Sequence, residues 1–416
     1  MKLLNSMMSR FVKVGQLTII DADGNPHIHG PGGEPSAVIR LKDKKLYREL
    51  FLNPELKAGE AYMDGRLVCE EGGIRGLLSV FGANRDGLRG QPMQKALKKY
   101  LKKIRKWHQR NKTSASRKNV LHHYDLSNDF YKLFLDEDMQ YSCGYWPSLD
   151  ITLEEAQRLK KAHIATKLHL KPGMKVLDIG CGWGGMAIYI AQNFDCEVVG
   201  VTLSDEQLAL GRARVKELGL EGKVDLRLQD YRHVPESFDR IVSVGMFEHV
   251  GVQHYLEYFS KIKELLKEDG SALVHSIGRK GGPGTTGAWI RKYIFPGGYS
   301  PALSETFAEI EKAGLWVTDC EILRLHYAET LKEWDKRFQA NRAQVAQMFD
   351  EKFCRMWEFY LIISELSFRV GKHMNFQIQL SKDVHALPIA RDYMRETELA
   401  ITAPKKPVRK RAKAKT

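Results

Sequence analysis

From residue 174 onward, apolar runs alternate with segments of helical periodicity, and this alternation restricts the fold more than any other feature. The apolar runs are KVLDIG (175–180), EVVGVTL (197–203), VDLRLQD (224–230), DRIVSVGM (239–246) and SALVHSIG (271–278). Short apolar runs separated by helical patterns predict an α/β fold with a mostly parallel sheet and helices on both of its faces. Such a sheet binds its ligands at the carboxyl ends of the strands.

The 416 residues exceed what one core usually holds, so we expect a second, smaller domain. Residues 1–90 contain short strand-like runs broken by Gly and Pro, with a helix-like piece near 45–56. We therefore predict a small N-terminal α+β domain at 1–90, a basic amphipathic helix or linker at 91–120, the main domain at 121–400 and a disordered basic tail at 401–416.

Lys and Arg outnumber Asp and Glu by 65 to 51, and two segments hold much of this excess. Residues 91–120 carry eleven basic residues and residues 404–416 carry seven, and neither segment contains an acid. Such blocks favour a polyanionic partner, either nucleic acid or an anionic membrane surface. For 91–120, a solvated helix docked on the core is an equally good interpretation.

The six cysteines form no CxxC pair and have no spacing typical of a zinc site or a disulfide framework. We therefore predict no metal site and a reducing, cytoplasmic location. No stretch approaches the roughly 18 apolar residues of a membrane span, and the N-terminus lacks the apolar core of a signal peptide. At most, the protein is expected to be peripheral to the inner face of the cell membrane.

The first strand of the main domain runs into a glycine-rich turn, LDIGCGWGG at 177–185. Glycines allow the backbone to close around a ligand, and Gly180, Gly182 and Gly185 also fit the dinucleotide fingerprint GxGxxG. A dinucleotide enzyme usually has an acid about 20 residues further on. Here the second strand ends in Thr202 and Leu203, which argues against a dinucleotide site.

Instead, the order Asp178-x-Gly-x-Gly-x-Gly resembles the S-adenosylmethionine site of Rossmann-like class I methyltransferases. Asp230, which ends the third strand, occupies the usual place for a contact to adenine in that fold. The resemblance implies a seven-stranded, mostly parallel sheet. A purely structural glycine turn is the alternative.

Several longer blocks are similar to the cyclopropane fatty acid synthases. They are HHYDLSNDFYKLFLDEDMQYSCGYW (122–146), LDIGCGWGG, VTLSDEQ, LQDYR, VGMFEHVG (244–251) and WIRKYIFPGG, together with GEAYMDGRL (59–67) in the first domain. Base-methylating enzymes of this fold usually carry an Asn-Pro-Pro-Tyr-like segment where this chain has MFEHVG, so nucleic acid is not the expected partner.

The resemblance implies transfer of a methylene group from S-adenosylmethionine to the cis double bond of an acyl chain in a membrane phospholipid. The family often forms dimers, which implies a homodimer. The positions that match the family's cofactor site are Tyr141, Ser142, Asp178, Gly180, Gly182, Trp183, Gly184, Thr202, Leu203, Gln207, Gln229, Asp230, Val244 and Phe247.

The resemblance also implies that a bound bicarbonate acts as the base that removes a proton after methyl transfer. Cys143 and Ile277 would hold it through their backbones, and Glu248, His275 and Tyr327 through their side chains. A carboxylate beside an anion is costly unless the two share a proton, so we expect Glu248 to orient the anion through a shared hydrogen bond. His249 is expected only to cap or pack.

Other expectations concern the acyl chain. Residues 278–295 are predicted to form a mobile lid, with Trp289, Tyr293 and Phe295 lining the acyl passage and Arg291 and Lys292 meeting the phosphate. Some relatives carry a cysteine where this chain has Ser364, which argues against a thiol nucleophile, and Cys354 is expected to be structural.

Two alternatives stay open at this stage. The cation formed by methyl transfer can instead be reduced or hydrated, which would give methyl-branched or hydroxylated acyl chains. A non-catalytic membrane-binding or nucleic-acid-binding module would also use the basic segments, although the glycine turn and Glu248 argue against it.

Overall fold

The computed structural model describes residues 1–85 and 126–402. The basic helix predicted at 91–120 and the tail from 403 onward lie outside the described residues. The last helix continues through Thr402, so Ile401 and Thr402 are helical rather than part of the predicted tail.

The N-terminal region contains a four-stranded sheet in the order β2-β1-β3-β4. Its strands are β1 (Gly15–Ile20), β2 (Pro26–Gly32), β3 (Ser36–Leu41) and β4 (Leu67–Glu71), and its helices are α1 (Lys2–Phe11), α2 (Lys45–Leu52), α3 (Pro54–Met63) and α4 (Gly73–Ala83). The α+β prediction for this region agrees with these elements. Strand β2, of sequence PHIHGPG, was not predicted because its Pro and Gly residues hide any alternation.

The main region is built on a seven-stranded sheet in the order β10-β11-β9-β8-β5-β6-β7. Its strands are β5 (Lys175–Ile179), β6 (Glu197–Thr202), β7 (Val224–Leu228), β8 (Phe238–Val244), β9 (Leu266–Arg279), β10 (Trp316–Leu323) and β11 (His373–Ser381). Strands β5 to β9 pair in parallel, whereas β11 is antiparallel to both β9 and β10. The predicted class I methyltransferase fold is confirmed.

Helices cover both faces of this sheet, and this explains why its central strands are almost uniformly apolar. The helices are α5 (Asn128–Lys132), α6 (Leu153–Lys167), α7 (Gly185–Phe194), α8 (Asp205–Glu217), α9 (Tyr255–Leu265), α10 (Ala288–Tyr293), α11 (Leu303–Ala313), α12 (His326–Ala340), α13 (Arg342–Met348), α14 (Glu351–Arg369) and α15 (Asp392–Thr402). No helix within 1–85 and 126–402 is long and apolar enough to cross a membrane.

Helix α14 joins the two regions. The guanidinium of Arg75, on α4, donates to Glu365 on α14 at 2.7 Å and to Asp335 on α12 at 2.9 Å. The hydroxyl of Tyr62, on α3, donates to Glu358 on α14 at 2.8 Å. Because α14 also lines the larger cavity described below, the N-terminal region supports one wall of the site.

Candidate active site

Two adjoining cavities lie at the carboxyl ends of the parallel strands. The smaller has a volume of about 180 Å³ and is surrounded by the ends of β5, β6, β7 and β8. The larger has a volume of about 800 Å³ and extends toward residues 281–300 and α14. Tyr141, Ser142, Gly245 and His249 line both cavities and form the boundary between them.

The smaller cavity brings together most of the residues predicted for the cofactor. Those that line it are Tyr141, Ser142, Asp178, Gly180, Gly182, Trp183, Thr202, Leu203, Gln207, Gln229, Asp230 and Val244. The turn after β5 requires glycine at Gly180, which has φ of 80° and whose added Cβ would lie 3.0 Å from Met246.

Two predicted cofactor residues, Gly184 and Phe247, are not in the lining, and their contact with the cofactor stays a prediction. Gly184 caps the N-terminus of α7 with φ of 78°, and an added Cβ there would lie 2.9 Å from Leu226. Phe247 is completely buried and packs against Tyr255, with ring centroids 4.3 Å apart. The 3₁₀ turn that follows β8 directs Phe247 into the core, because its side chain completes an aromatic cluster there.

A buried lysine, Lys160, also lines the smaller cavity and was not predicted. Its Nζ donates to Gln140 Oε1 at 2.6 Å and to Ser142 Oγ at 2.8 Å. Burial lowers its pKa to about 8. Burial likewise raises the pKa of Asp178 to about 7, and among the residues that the structure describes Asp178 Oδ2 has no hydrogen-bond partner.

Asp178 and Lys160 indicate whether the cavity fits S-adenosylmethionine, because both are ionisable groups in its lining. The amino-acid end of that molecule carries an ammonium and a carboxylate, and buried charges are stable only when they are paired. The unsatisfied oxygen of Asp178 suits the ammonium, and the Lys160 ammonium suits the carboxylate. The lining therefore fits this cofactor.

Asp230 follows strand β7 and lines the smaller cavity. Burial would raise its pKa, but hydrogen bonds from Arg232 at 2.9 Å and 2.6 Å hold that pKa below its usual range. Asp230 is therefore ionised at neutral pH. Both of its carboxylate oxygens can then accept hydrogen bonds from a sugar or a base.

The larger cavity is lined by all five residues predicted to hold the anion: Cys143, Glu248, His275, Ile277 and Tyr327. Glu248 Oε1 accepts a hydrogen bond of 2.6 Å from the Ile277 amide, whereas Glu248 Oε2 is buried and has no hydrogen-bond partner within residues 1–85 and 126–402. Burial raises the pKa of Glu248 to about 7. A carboxyl group that changes its charge near neutral pH thus lies in the wall of the cavity.

The other members of this set differ in what their side chains can contribute. The Cys143 thiol donates to the Gly144 carbonyl at 3.3 Å, and burial raises its pKa, so the thiol is neutral. His275 is 1% exposed, and burial lowers its pKa to about 3, so its ring is neutral as well. Tyr327 packs its ring against Phe368 at 5.1 Å.

His249, expected only to cap or pack, is part of the wall of the site. Its side chain lines both cavities instead of only packing, and burial lowers its pKa to about 4. It is therefore a neutral imidazole at the boundary between the cavities.

The segment predicted as a lid forms a wall of the larger cavity through residues 281–287, Trp289, Ile290 and Phe295. Its mobility stays a prediction. Tyr293 is not in the lining, because its hydroxyl donates to Glu60 at 3.0 Å, and Lys292 pairs with the same carboxylate at 2.6 Å. Ser364 lines this cavity, and Cys354 is completely buried in the core.

Comparisons with known proteins relate this chain to others of known sequence and structure. Residues 111–378 match a family model described as mycolic acid cyclopropane synthetase. Over 364 residues the chain is 40% identical to the cyclopropane-fatty-acyl-phospholipid synthase of Escherichia coli K12, covering 86% of this chain and 92% of that protein. Over 384 residues it is 39% identical to a probable fatty acid methyltransferase of Pseudomonas putida, covering 89% and 94%.

A solved structure of mycolic acid cyclopropane synthase CmaA1, complexed with SAH and CTAB, superposes with a TM-score of 0.60 and 35% identity. The match covers 64% of this chain and 97% of that one.

Proposed function

Because this chain belongs to the mycolic acid cyclopropane synthetase family, we propose that it cyclopropanates unsaturated acyl chains of membrane phospholipids. Family membership makes it an S-adenosylmethionine-dependent methyltransferase. The proposal adds that the acceptor is a cis double bond and that bound bicarbonate is the base. The observation that carries it is a buried carboxyl, Glu248, in the wall of a large cavity that adjoins the cofactor cavity.

S-adenosylmethionine supplies, when bound, an electrophilic methyl group on a sulfonium. The chain's part is to orient that cofactor and to bring the alkene to it. Asp178 and Lys160 would hold the amino-acid end, and Asp230 would bind at the adenosine end. An isolated alkene is a poor nucleophile, so holding both reactants at the shared boundary supplies much of the rate enhancement.

Glu248 supports the bicarbonate part of the proposal. A carboxylate beside a second anion is unfavourable unless the two share a proton. The pKa of Glu248, raised to about 7 by burial, means that this proton is present on a large fraction of molecules near neutral pH. Glu248 Oε2 would then donate to the anion, and His275 and Tyr327 would provide further donors from the same wall.

The larger cavity suits an acyl chain with a charged end. Its apolar lining includes Trp289, Ile290, Phe295, Leu331 and Phe368. Its cationic lining residues are Arg85, Arg279 and Lys372. We propose that these three residues, rather than Arg291 and Lys292, would meet a lipid phosphate. An apolar slot also keeps water from the cation that methyl transfer leaves on the chain.

The proposal predicts the product of a defined reaction. The full-length chain, incubated with labelled S-adenosylmethionine and vesicles of unsaturated phospholipid, is expected to give lipid that is heavier by one CH2 group and has lost its double bond. Mass spectrometry of the released fatty acids measures this. Vesicles of saturated phospholipid are the control, and labelling of the head group instead of the acyl chain would contradict the proposal.

The same measurement decides a second candidate. The similarity to a probable fatty acid methyltransferase raises this second candidate, in which methyl transfer to the acyl chain leaves a methyl branch. A saturated branch contains two hydrogens more than a ring, so the two products differ in mass. Forming the branch also requires a reductant, and product formation from purified components without one supports the ring.

We further propose that the chain binds an anionic membrane surface through its basic segments. Each basic residue near such a surface contributes about 1 kcal/mol, and salt screens this attraction. The rate on anionic vesicles is therefore expected to fall as salt rises, and to fall again when residues 404–416 are removed, whereas the rate on detergent-dispersed lipid should change little. Equal salt dependence on both would contradict the proposal. A homodimer stays a prediction.

A further inference from the structure

His275 lies between two amide side chains of β11, and they face its two ring nitrogens. Asn375 Nδ2 is 2.8 Å from His275 Nε2, and Gln377 Nε2 is 3.1 Å from His275 Nδ1. Both amides cannot donate, because a neutral imidazole has one bare nitrogen and one N–H. One of the two amides must therefore present its oxygen to the ring, and which one does so determines where His275 carries its proton.

A buried lysine determines which of the two amides presents its oxygen to His275. Lys167, on α6, donates from its Nζ to Gln377 Oε1 at 2.7 Å, and an ammonium can only donate. Gln377 is therefore unable to turn its oxygen toward His275, and its Nε2 must donate to His275 Nδ1. The proton of His275 then resides on Nε2, and Asn375 must present Oδ1 to it.

The surroundings of Asn375 agree with this assignment. While the amide nitrogen faces the ring, Asn375 Oδ1 has no hydrogen-bond partner in the described part of the chain. A half-turn of the amide gives that oxygen the His275 Nε2–H as a donor. Asn375 lines the larger cavity together with His275, whereas Gln377 is completely buried behind the ring. Nε2 is thus the ring nitrogen on the cavity side.

Lys167 has a carboxylate partner in addition to Gln377. Glu321 on β10 pairs with it and also accepts from His163 Nε2 at 2.6 Å, and His163 Nδ1 contacts Glu398 on α15 at 2.9 Å. Lys167 is 2% exposed. A buried ammonium with carboxylate partners on one side is well placed to fix an amide on the other.

We infer that Lys167, acting through Gln377, fixes His275 as the tautomer with its proton on Nε2, directed to the cavity side. Lys167 and Gln377 are positioning residues, since neither lines the cavity. That this N–H also serves the anion during catalysis rests on the proposed function and requires the N–H to be shared between Asn375 Oδ1 and the anion. The tautomer itself does not, so the two are separable by experiment.

The test measures the tautomer directly in the full-length protein, without cofactor or lipid. Nitrogen NMR of protein labelled at the histidine rings, with His275→Gln to assign the signal, is expected to show the proton on Nε2 and a bare Nδ1. Gln377→Glu replaces the donor by a carboxylate that only accepts, so a proton should appear on Nδ1. Lys167→Arg keeps a donor to residue 377 and should preserve the wild-type pattern.

Gln379→Glu is the matched control. Gln379 lies on the same face of β11, is equally buried and contacts the Lys167 carbonyl and Tyr393, but it does not contact His275. The control should leave the His275 pattern unchanged. A proton on Nδ1 in the wild type, or a Gln377→Glu pattern identical to the wild type, would overturn the inference.

Activity then tests the catalytic consequence. Loss of the partner that orients a functional histidine typically lowers activity by about 10- to 100-fold, and we expect this for Gln377→Glu but not for Lys167→Arg. Full lipid alkylation by a Gln377→Glu protein with a shifted tautomer would leave the inference standing and remove His275 from the proposed mechanism.

Discussion

Replacing Glu248 by glutamine is expected to lower the rate of lipid alkylation by about 1,000-fold, because an amide can donate to bicarbonate but cannot exchange with it the proton that the two groups share. Glutamine keeps the shape of the side chain and can still accept the 2.6 Å hydrogen bond from the Ile277 amide. What it loses is the exchangeable proton of a carboxyl whose pKa burial raises to about 7. Turnover of labelled S-adenosylmethionine on unsaturated vesicles measures the effect.

Two controls distinguish loss of the catalytic role of Glu248 from a disturbance of the fold or of the cofactor cavity. Glu248 does not line the cofactor cavity, so binding of S-adenosylhomocysteine, measured by calorimetry, should be unchanged. Stability gives the second control. A raised acid pKa means that the folded state favours the protonated form, so the buried carboxyl destabilises the protein progressively as pH rises from about 4.5 to about 7. Glutamine should therefore raise Tm at pH 8 and have little effect near pH 4.5.

A Glu248→Gln protein that retains most of its alkylation rate would contradict the assigned role of this carboxyl. Weaker binding of S-adenosylhomocysteine would instead show that the substitution disturbs the neighbouring cavity. A lower Tm at pH 8 would mean that the carboxylate has a buried cation as partner in the folded protein.

The central strands of the large sheet were predicted because their side chains are apolar on both faces. Val176 and Leu177 in β5, for example, are completely buried between layers of helices. Strands β10 and β11 were missed for different reasons. Most of β10 lies partly exposed at the sheet edge, and Trp316 is 56% exposed. Strand β11 buries Asn375, Gln377 and Gln379, which resemble surface residues until the fold supplies their partners.

The site shows the same division. Asp178 and the glycine turn were readable from local chemistry. The anion set was assigned through the family resemblance, because its members are distant in sequence and lie in a loop, a 3₁₀ turn, strand β9 and helix α12. Lys160 and Lys167 were missed because a lysine in a helix is usually solvated. The available signal was their seven-residue spacing, which puts both on the face of α6 that also buries Leu153, Ala156 and Ile164.

Cofactor affinity is expected to peak between pH 7 and pH 8 and to fall on both sides. The free protein's Asp178 has its pKa raised to about 7 by burial, and binding an ammonium favours the charged carboxylate, so affinity should fall as pH drops below 7. Burial lowers the pKa of Lys160 to about 8, and binding a carboxylate favours the charged ammonium, so affinity should fall as pH rises above 8. Calorimetric titration with S-adenosylhomocysteine measures the affinity on both sides of this maximum, which we call the acidic limb and the alkaline limb of the pH profile.

Single substitutions should remove one limb each. Asp178→Asn is expected to weaken binding about 100-fold at pH 7.5, because a hydrogen bond to a charged group contributes about 1.5–3 kcal/mol, and to abolish the acidic limb. Lys160→Met should abolish the alkaline limb and leave the acidic one. Lys161→Met is the matched control, because Lys161 is the next residue on α6, pairs with Asp138 and does not line the cavity. If both limbs persist in Asp178→Asn and Lys160→Met, these two groups do not hold the amino-acid end of the cofactor.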